Sequence, residues 1–425
     1  MIGVFNGNVL VAQHDTIVYS GSFGYADAAR TTRLTPSHRF NIGSITKEFS
    51  AVALMMLQEQ GKLQTQDKVS RFIPELPAWA NRVSLRNLLD YTSGLPELRW
   101  NTIKNDADAF ADLQKIDSLS FPPGTRFDYS NNNVELRQFV VERITGETFN
   151  SFATTRQLAR CGMTSSVMNP GPDENDIARS FSDDLGSDPT NMPITGVAFV
   201  TASDLLKWSQ CLHDHRLLTT RSIYELGHSF RPTNGGLGET VFRDSALVVH
   251  RHDGQSRNYE AFLDADLASN TTIVLLSNNK HFKLRDIATA IKAILKGEQA
   301  KLPKRSITQF LSRDVDSLPI AAFVARYETL RRTRSAELEF DDEEDLNSFG
   351  YRLMGRNRLD DAVQLFRLNS RRFPSSPNVY DSLGEAYLAQ KDTSSALLSY
   401  EKVLVLQPNN ANAKEMIAKI RRMKP

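Results

Sequence analysis

The sequence predicts an α+β domain whose two ends supply strands to one antiparallel sheet, followed by an all-α tail. Three observations predict it. Strand-like runs cluster at the start of the chain and again between residues 246 and 276, with helical and loop-rich sequence between them. A polar, basic, proline-containing stretch at residues 299–305 ends that pattern. Beyond residue 341, apolar, small and aromatic residues recur at a 34-residue interval.

Residues 8–13 are rich in branched side chains, His14-Asp15 makes a turn, and residues 16–19 continue as a second strand. A helix starts near Ser44: Ile45, Phe49, Val52, Ala53 and Met56 fall at helical spacing, and Gly61 sits where a C-terminal cap belongs. Residues 62–240 mix short helices with loops. Strand patterns return at residues 246–250, 259–264 and 271–276, and a helix follows at 284–295. Residues 1–297 are assigned to this domain. Residues 298–340 read as a linker with one amphipathic helix, marked by Ile320, Phe323, Val324 and Tyr327. The acidic residues 341–345 read as a solvated helix start.

The repeat occupies residues 341–425. Leu346, Phe349, Gly350, Leu353, Ala362, Phe366 and Pro374 map onto Tyr380, Leu383, Gly384, Tyr387, Ala396, Tyr400 and Pro408, each 34 residues on. The period and the small, aromatic and proline positions resemble two tetratricopeptide (TPR) repeats. Ala413, Met416, Ile417 and Ile420 mark a capping helix. Two copies fall below the roughly three that such an array needs. The tail is therefore expected to lean on the helix near residues 320–330 or on the main domain.

A hydrophobic share of 40% and a charged share of 24% are ordinary for a globular chain of 425 residues. Lysine plus arginine number 51 and aspartate plus glutamate 50, a balance that argues against a dedicated nucleic-acid binder. The sequence has no run of about 18 apolar residues to span a membrane. Met1-Ile2-Gly3-Val4-Phe5 lacks the basic and apolar regions of a signal peptide. Cys161 and Cys211 make neither a disulfide framework nor a zinc site; a single pairing is open to them, and the plainer reading is two partly buried thiols.

Three short motifs carry the chemistry. Ser44-Ile45-Thr46-Lys47 puts a serine in the first turn of a helix, near free N–H groups and the positive dipole end. Lys47 follows one turn on, within reach of the hydroxyl. A lysine is a base only when neutral, which requires desolvation or neighbouring cations. By itself this spacing equally fits a capping serine before an exposed lysine. Tyr129-Ser130-Asn131 follows a Pro-Gly loop. A tyrosine beside an ammonium can ionise, take a proton and later return it to a leaving group. Asn131 can orient Lys47 and a substrate amide. The plain alternative is a packed loop tyrosine. His252-Asp253-Gly254 closes a strand. Its glycine lets a substrate lie against the backbone, and His252 would bring a donor near Tyr129.

In this order and setting the motifs resemble the serine β-lactamase and penicillin-binding-protein superfamily. The likeness is greatest to its class C β-lactamase-like branch of D-Ala-D-Ala carboxypeptidases, D-aminopeptidases and esterases. Arg39-Phe40-Asn41-Ile42-Gly43-Ser44 resembles the family's approach to the nucleophile. Asn87-Leu88-Leu89-Asp90-Tyr91-Thr92-Ser93-Gly94-Leu95-Pro96 resembles its Leu-Leu-Thr-His-Thr-Ser-Gly-Leu-Pro stretch. The resemblance covers residues 4–297. It implies a β-lactamase/transpeptidase-like domain, an antiparallel sheet flanked by helices with a helical subdomain. It implies acyl transfer through a covalent intermediate. Ser44 is then the nucleophile, and Lys47 and Tyr129 move the proton. The N–H groups of Ser44 and Gln255 hold the oxyanion, and Asn131, His252 and Gly254 line the substrate. No metal or cofactor is implied. A small-molecule or peptide substrate is, in a periplasmic or other extracytoplasmic setting.

The chain departs from the family at several points. His-Asp-Gly stands for Lys-Thr-Gly, which weakens recognition of a substrate carboxylate. Asn258 stands where a glycine is usual four residues after Gly254, and is expected to tolerate the left-handed turn there. Tyr91 replaces a histidine, and residues 197–201 replace a more glycine-rich segment.

His250 and His252 share a face if one strand carries both, which leaves a metal pair open. His213-Asp214-His215 reads as a solvated helix end. No GxSxG elbow, phosphate-binding loop or dinucleotide fingerprint is present. Two functional classes stand. One is a hydrolase of a small ester, amide or D-amino-acid peptide. The other is a catalytically weak penicillin-binding-like module whose repeat tail mediates protein–protein interaction. The joint presence of Ser44, Lys47 and Tyr129 favours the first. A tail that docks a protein partner is compatible with either.

Overall fold

The computed structural model describes residues 4–98, 100, 102–183, 185–189, 193–228 and 236–423. Two compact units divide the chain, one of Phe5–Leu302 and one built on Pro303–Pro425.

In the first unit, β1 (Gly7–Gln13) and β2 (Thr16–Phe23) form the expected hairpin. His14 and Asp15 both take positive φ, 49° and 60°, the twist a two-residue hairpin turn requires. Three short strands, β3 (Phe40–Asn41), β4 (Val167–Met168) and β5 (Ala198–Val200), make a small sheet in the order β3-β5-β4. The later strands are β6 (Glu239–Arg243), β7 (Ala246–Ser256), β8 (Tyr259–Asp266) and β9 (Thr271–Ser277). The main sheet runs β2-β1-β9-β8-β7-β6, antiparallel throughout. Its two ends of sequence meet where β1 pairs with β9, Gly7 opposite Ser277.

Two strands differ from the sequence pattern. β7 continues past His250 to Ser256 and so contains the whole third motif. Charged residues disguise it: Arg251 pairs with Glu239 and Asp264 on neighbouring strands rather than with water alone. β6 is a partly exposed edge strand with little apolar alternation to mark it.

The helix Lys47–Glu59 passes through the middle of the core. Residues 48 to 56 are buried without a break, as for a helix covered on all sides. A single 3-10 turn, Gly43–Thr46, leads into it and carries Ser44. The helix Ala202–His213 packs nearby, with Trp208 tilted against Phe49 at 4.3 Å.

Cys161 and Cys211 are not separate thiols. They form a disulfide, with Cα atoms 5.4 Å apart and a sequence separation of 50. Packing of the helix Ala202–His213 beside the turn at Cys161 brings them together, and nothing local in either segment announces it. His213 is likewise not solvated. Its Nε2 is buried without a partner, its ring lies 6.0 Å from His250, and burial pushes its pKa down to about 3, with His250 and His215 adding to the fall. Asp214 and His215 are exposed.

The second unit has its own core, in which Ile307, Leu311, Val315, Phe323 and Tyr327 join Leu346, Phe349 and Phe366. Residues 303–340 therefore pack as part of this unit. Its later helices are Glu343–Gly355, Leu359–Arg372, Pro377–Ala389, Thr393–Leu406 and Ala411–Met423. Two glycines at matching places in the 34-residue interval let helices approach. A methyl on Gly350 would lie 2.5 Å from the Phe366 ring, and one on Gly384 would lie 2.9 Å from the Tyr400 ring.

Candidate active site

Ser44 leaves the tight turn just before Lys47 opens its helix, so the two side chains emerge on one side. Lys47 Nζ is 2.9 Å from Ser44 Oγ. Burial pushes the Lys47 amine below its ordinary range. Arg137 adds to this, while Tyr91, Glu135 and Glu97 oppose it. The Tyr129 hydroxyl lies beside the Ser44 side chain, and burial pushes its phenol up while Ser44 opposes the rise. Both shifts favour an uncharged amine and an uncharged phenol around Ser44 Oγ. Lys47 Nζ lies 4.9 Å from the centre of the Tyr129 ring. Tyr129 nevertheless remains 42% exposed, open to an incoming substrate.

The backbone of β7 lies directly against this turn. A methyl on Gly254 would fall 1.9 Å from the carbonyl oxygen of Ile42 and 2.9 Å from the amide nitrogen of Ser44. Gly43, at φ +53°, would place one 2.4 Å from the amide nitrogen of Gln255. Only glycine permits this approach, which sets the Ser44 and Gln255 amides side by side. Preorganised N–H pairs of this kind stabilise an oxyanion. A cavity of about 200 Å³ opens beside them, lined by Ser44, Lys47, Asn131, Glu135, Gln138 and Gln255 among others.

His252 is placed differently. Its Nδ1 lies 2.6 Å from Glu48 Oε1, and His250 Nε2 is 2.9 Å from the same oxygen. Trp208 Nε1 donates to Glu48 Oε2 at 2.7 Å. Burial alone would raise the Glu48 carboxyl, but His250 and His252 hold it well below the usual carboxylate range. The two histidines thus share a face and a carboxylate beneath Lys47, and His252 is not among the residues lining the cavity. Among the described residues no group of three metal-binding side chains occurs. The left-handed residue of the β7–β8 turn is Arg257, at φ 52°, and not Asn258. Asn258 instead donates its backbone N–H and its Nδ2 to Asp188 Oδ2, both at 3.0 Å.

Arg137 and Glu135 escaped the sequence motifs, and the contacts of Tyr91, known there only as the replacement of a histidine, were not foreseen. Tyr91 stacks on Tyr129 with ring centres 4.6 Å apart. Arg137, on the helix Asn132–Thr145, is fully buried and donates Nη2 to the Tyr91 hydroxyl at 3.2 Å. Its Nε and Nη1 are buried without partners. Glu135 sits two residues earlier on the same helix. The available signal was a pair of charges inside a short, otherwise buried helix turn, where charge is costly unless used.

Arg137 acts through Lys47 and is a positioning residue. Replacing it with methionine removes the cation that helps hold the Lys47 amine down, so the Lys47 pKa rises. With Lys47 as proton acceptor the amine must be neutral, so the acid limb of kcat/KM should then move to higher pH in Arg137→Met. A limb at the wild-type position would show that Arg137 is only structural.

A family model described as Beta-lactamase matches residues 3–296. The chain is similar to a penicillin-binding protein of Bacillus subtilis (strain 168), 27% identical over 363 residues, covering 76% of this chain and 79% of the relative. Among solved structures it is similar to a penicillin-binding protein from Bacillus halodurans, with TM-score 0.61 and 26% identity over 68% of this chain and 96% of that one. The D-amino acid amidase from Ochrobactrum anthropi SV3 shares the fold, with TM-score 0.57 and 20% identity over 69% of this chain and 94% of that one.

Proposed function

Because the chain belongs to the beta-lactamase family, we propose that it is a serine hydrolase that forms an acyl-enzyme on Ser44 from a small ester, amide or D-amino-acid peptide. The observation that carries this is the 2.9 Å bond from Lys47 Nζ to Ser44 Oγ, with the Tyr129 ring 4.9 Å from the same amine. Ser44 Oγ attacks the carbonyl carbon while its proton passes to the neutral Lys47 amine. The N–H groups of Ser44 and Gln255 hold the oxyanion. The proton returns through Tyr129 to the leaving nitrogen or oxygen as its bond to carbon breaks. Water then attacks the acyl-Ser44 ester, gives a proton to the same pair, and Ser44 leaves as the hydroxyl. Asn131 orients the amide of the substrate. Nothing in this sequence of steps calls on a metal or cofactor.

The tie between His252 and Glu48 supports substrates that lack a carboxylate at the third motif. The Cys161–Cys211 disulfide supports an oxidising compartment outside the cytoplasm. No helix among the described residues is long and apolar enough to cross a membrane. The tight approach at Gly350 and Gly384 supports reading the tail as paired TPR-type repeats that dock a protein partner.

The test is a labelling and hydrolysis panel on the full chain. It uses a fluorophosphonate, a fluorescent penicillin, a p-nitrophenyl ester, a D-amino-acid anilide, a D-Ala-D-Ala peptide and a chromogenic cephalosporin. Fluorophosphonate should label Ser44, and the ester and anilide should turn over faster than the cephalosporin. Folded protein that no acylating probe labels would instead support the catalytically weak module with a working tail.

A further inference from the structure

We infer that Glu48 is a positioning residue for acyl transfer: its carboxylate clamps β7 to the nucleophile's helix and so sets the spacing of the Ser44 and Gln255 amides. This rests on the acyl-transfer reading of Ser44.

Glu48 follows Lys47 directly in the helix Lys47–Glu59. Successive helical side chains point about 100° apart, so Lys47 faces Ser44 while Glu48 faces β7. Glu48 has no exposed surface. Its Oε1 lies within bonding distance of both His250 Nε2 and His252 Nδ1, and its Oε2 accepts from Trp208 Nε1. His250 and His252 stand two residues apart on β7, with Gly254 two further on, so all three lie on one face of the strand. At Gly254 that face meets the Ser44 turn.

The strand needs such a hold. β6 pairs with β7 only as far as Arg251, so residues 252–256 have β8 alone as a sheet neighbour. Among the described residues, the hydrogen bonds that join residues 44–59 to β7 are the two at Glu48 Oε1. Gly43 and Gly254 permit the two amides to approach, but they do not fix the distance between them. Bonds to a carboxylate are short and directional, and these do fix it. Stability alone does not call for a buried carboxylate here, since a well-packed apolar group often serves as well. The carboxylate only accepts, so His250 donates from Nε2 and His252 from Nδ1. The Nε2 of His252 takes no part in the clamp.

Kinetics on the full chain test this with a p-nitrophenyl ester, beside fluorophosphonate labelling. Acylation and deacylation both put an oxyanion between the two amides, so kcat falls whichever step limits. Glu48→Gln and His252→Leu should each lower kcat about 10²-fold, the scale of a misplacement of about 1 Å, with KM little changed. The acid limb of kcat/KM should stay in place, because burial, Tyr91, Arg137, Glu135 and Glu97 set the Lys47 amine. Asparagine offers an amide N–H where Nδ1 stood, so His252→Asn should recover most of what His252→Leu loses. Folded Glu48→Gln and His252→Leu with kcat within about threefold of wild type would make the clamp structural only and overturn the inference. So would His252→Asn as slow as His252→Leu, which would assign the work to Nε2. A shifted acid limb would overturn it too, by making Glu48 a tuner of Lys47. Should Glu48→Gln fail to fold by circular dichroism, the two His252 variants decide. Failure of the hydrolase reading shows separately, as wild-type protein that no acylating probe labels.

Discussion

Ser44→Ala should lower turnover of any accepted substrate by more than about 10⁴-fold and abolish covalent labelling, the scale seen when a nucleophile is removed. Lys47→Met should cost nearly as much, because among the described residues Lys47 is the amine bonded to Ser44 Oγ. Lys47 Nζ is the group 2.9 Å away, and burial already favours its neutral form. The double variant should be little worse than either single one, since the two residues act as a unit and not as independent contributions. What remains comes from the Ser44 and Gln255 amides, whose positions depend on Gly43 and Gly254 and survive both substitutions. Methionine suits the buried site of Lys47, so the fold should persist. Measuring kcat/KM for the three variants settles the assignment. Lys47→Met within tenfold of wild type would remove Lys47 from the role of base.

Breaking the disulfide should be the largest change in stability. In the loop-closure account, a bridge spanning 50 residues contributes about 4 kcal/mol by restricting the unfolded chain. Both cysteines are buried, at 1% and 0% exposure, so alanine in their place also loses some packing. Urea unfolding of wild type against Cys161→Ala with Cys211→Ala should show the loss as a lower midpoint, with a steeper slope where the released unfolded chain exposes more surface. Midpoints that coincide would mean that the bridge does not form. The helix Ala202–His213 also carries Trp208, whose indole bonds Glu48 directly behind Lys47. Loosening that helix should therefore reach the nucleophile's support.

Much of the site was legible because its chemistry depends on short spacings. Ser44 and Lys47 sit one helical turn apart, and Tyr129 and Asn131 lie in a loop marked by Pro122, Pro123 and Gly124. The β1–β2 hairpin was legible from local turn chemistry, and the family from the joined motifs. What stayed hidden depends on burial and on distant partners. A charged Arg137 in a helix looks solvated until Tyr91 is placed over it. His252 is tied through Nδ1 to Glu48 of the central helix, a partner 204 residues away in sequence that no local pattern announces. Cys161 and Cys211 look independent until two distant segments pack. Arg257, not Asn258, takes the left-handed turn position, because the turn's own geometry decides which residue bears the positive φ.

The pairing of β1 with β9 has a consequence for biosynthesis. Gly7 meets Ser277 near the middle of the sheet, so the first hairpin emerges from the ribosome long before its inner neighbour exists. Contacts of such sequence separation make folding slow. Until β9 is made, Val9 and Val11 of β1 have no inner neighbour to pair with. Closing the sheet at this seam therefore waits on almost the whole of the first unit, and a chain stopped before β9 leaves the sheet open there.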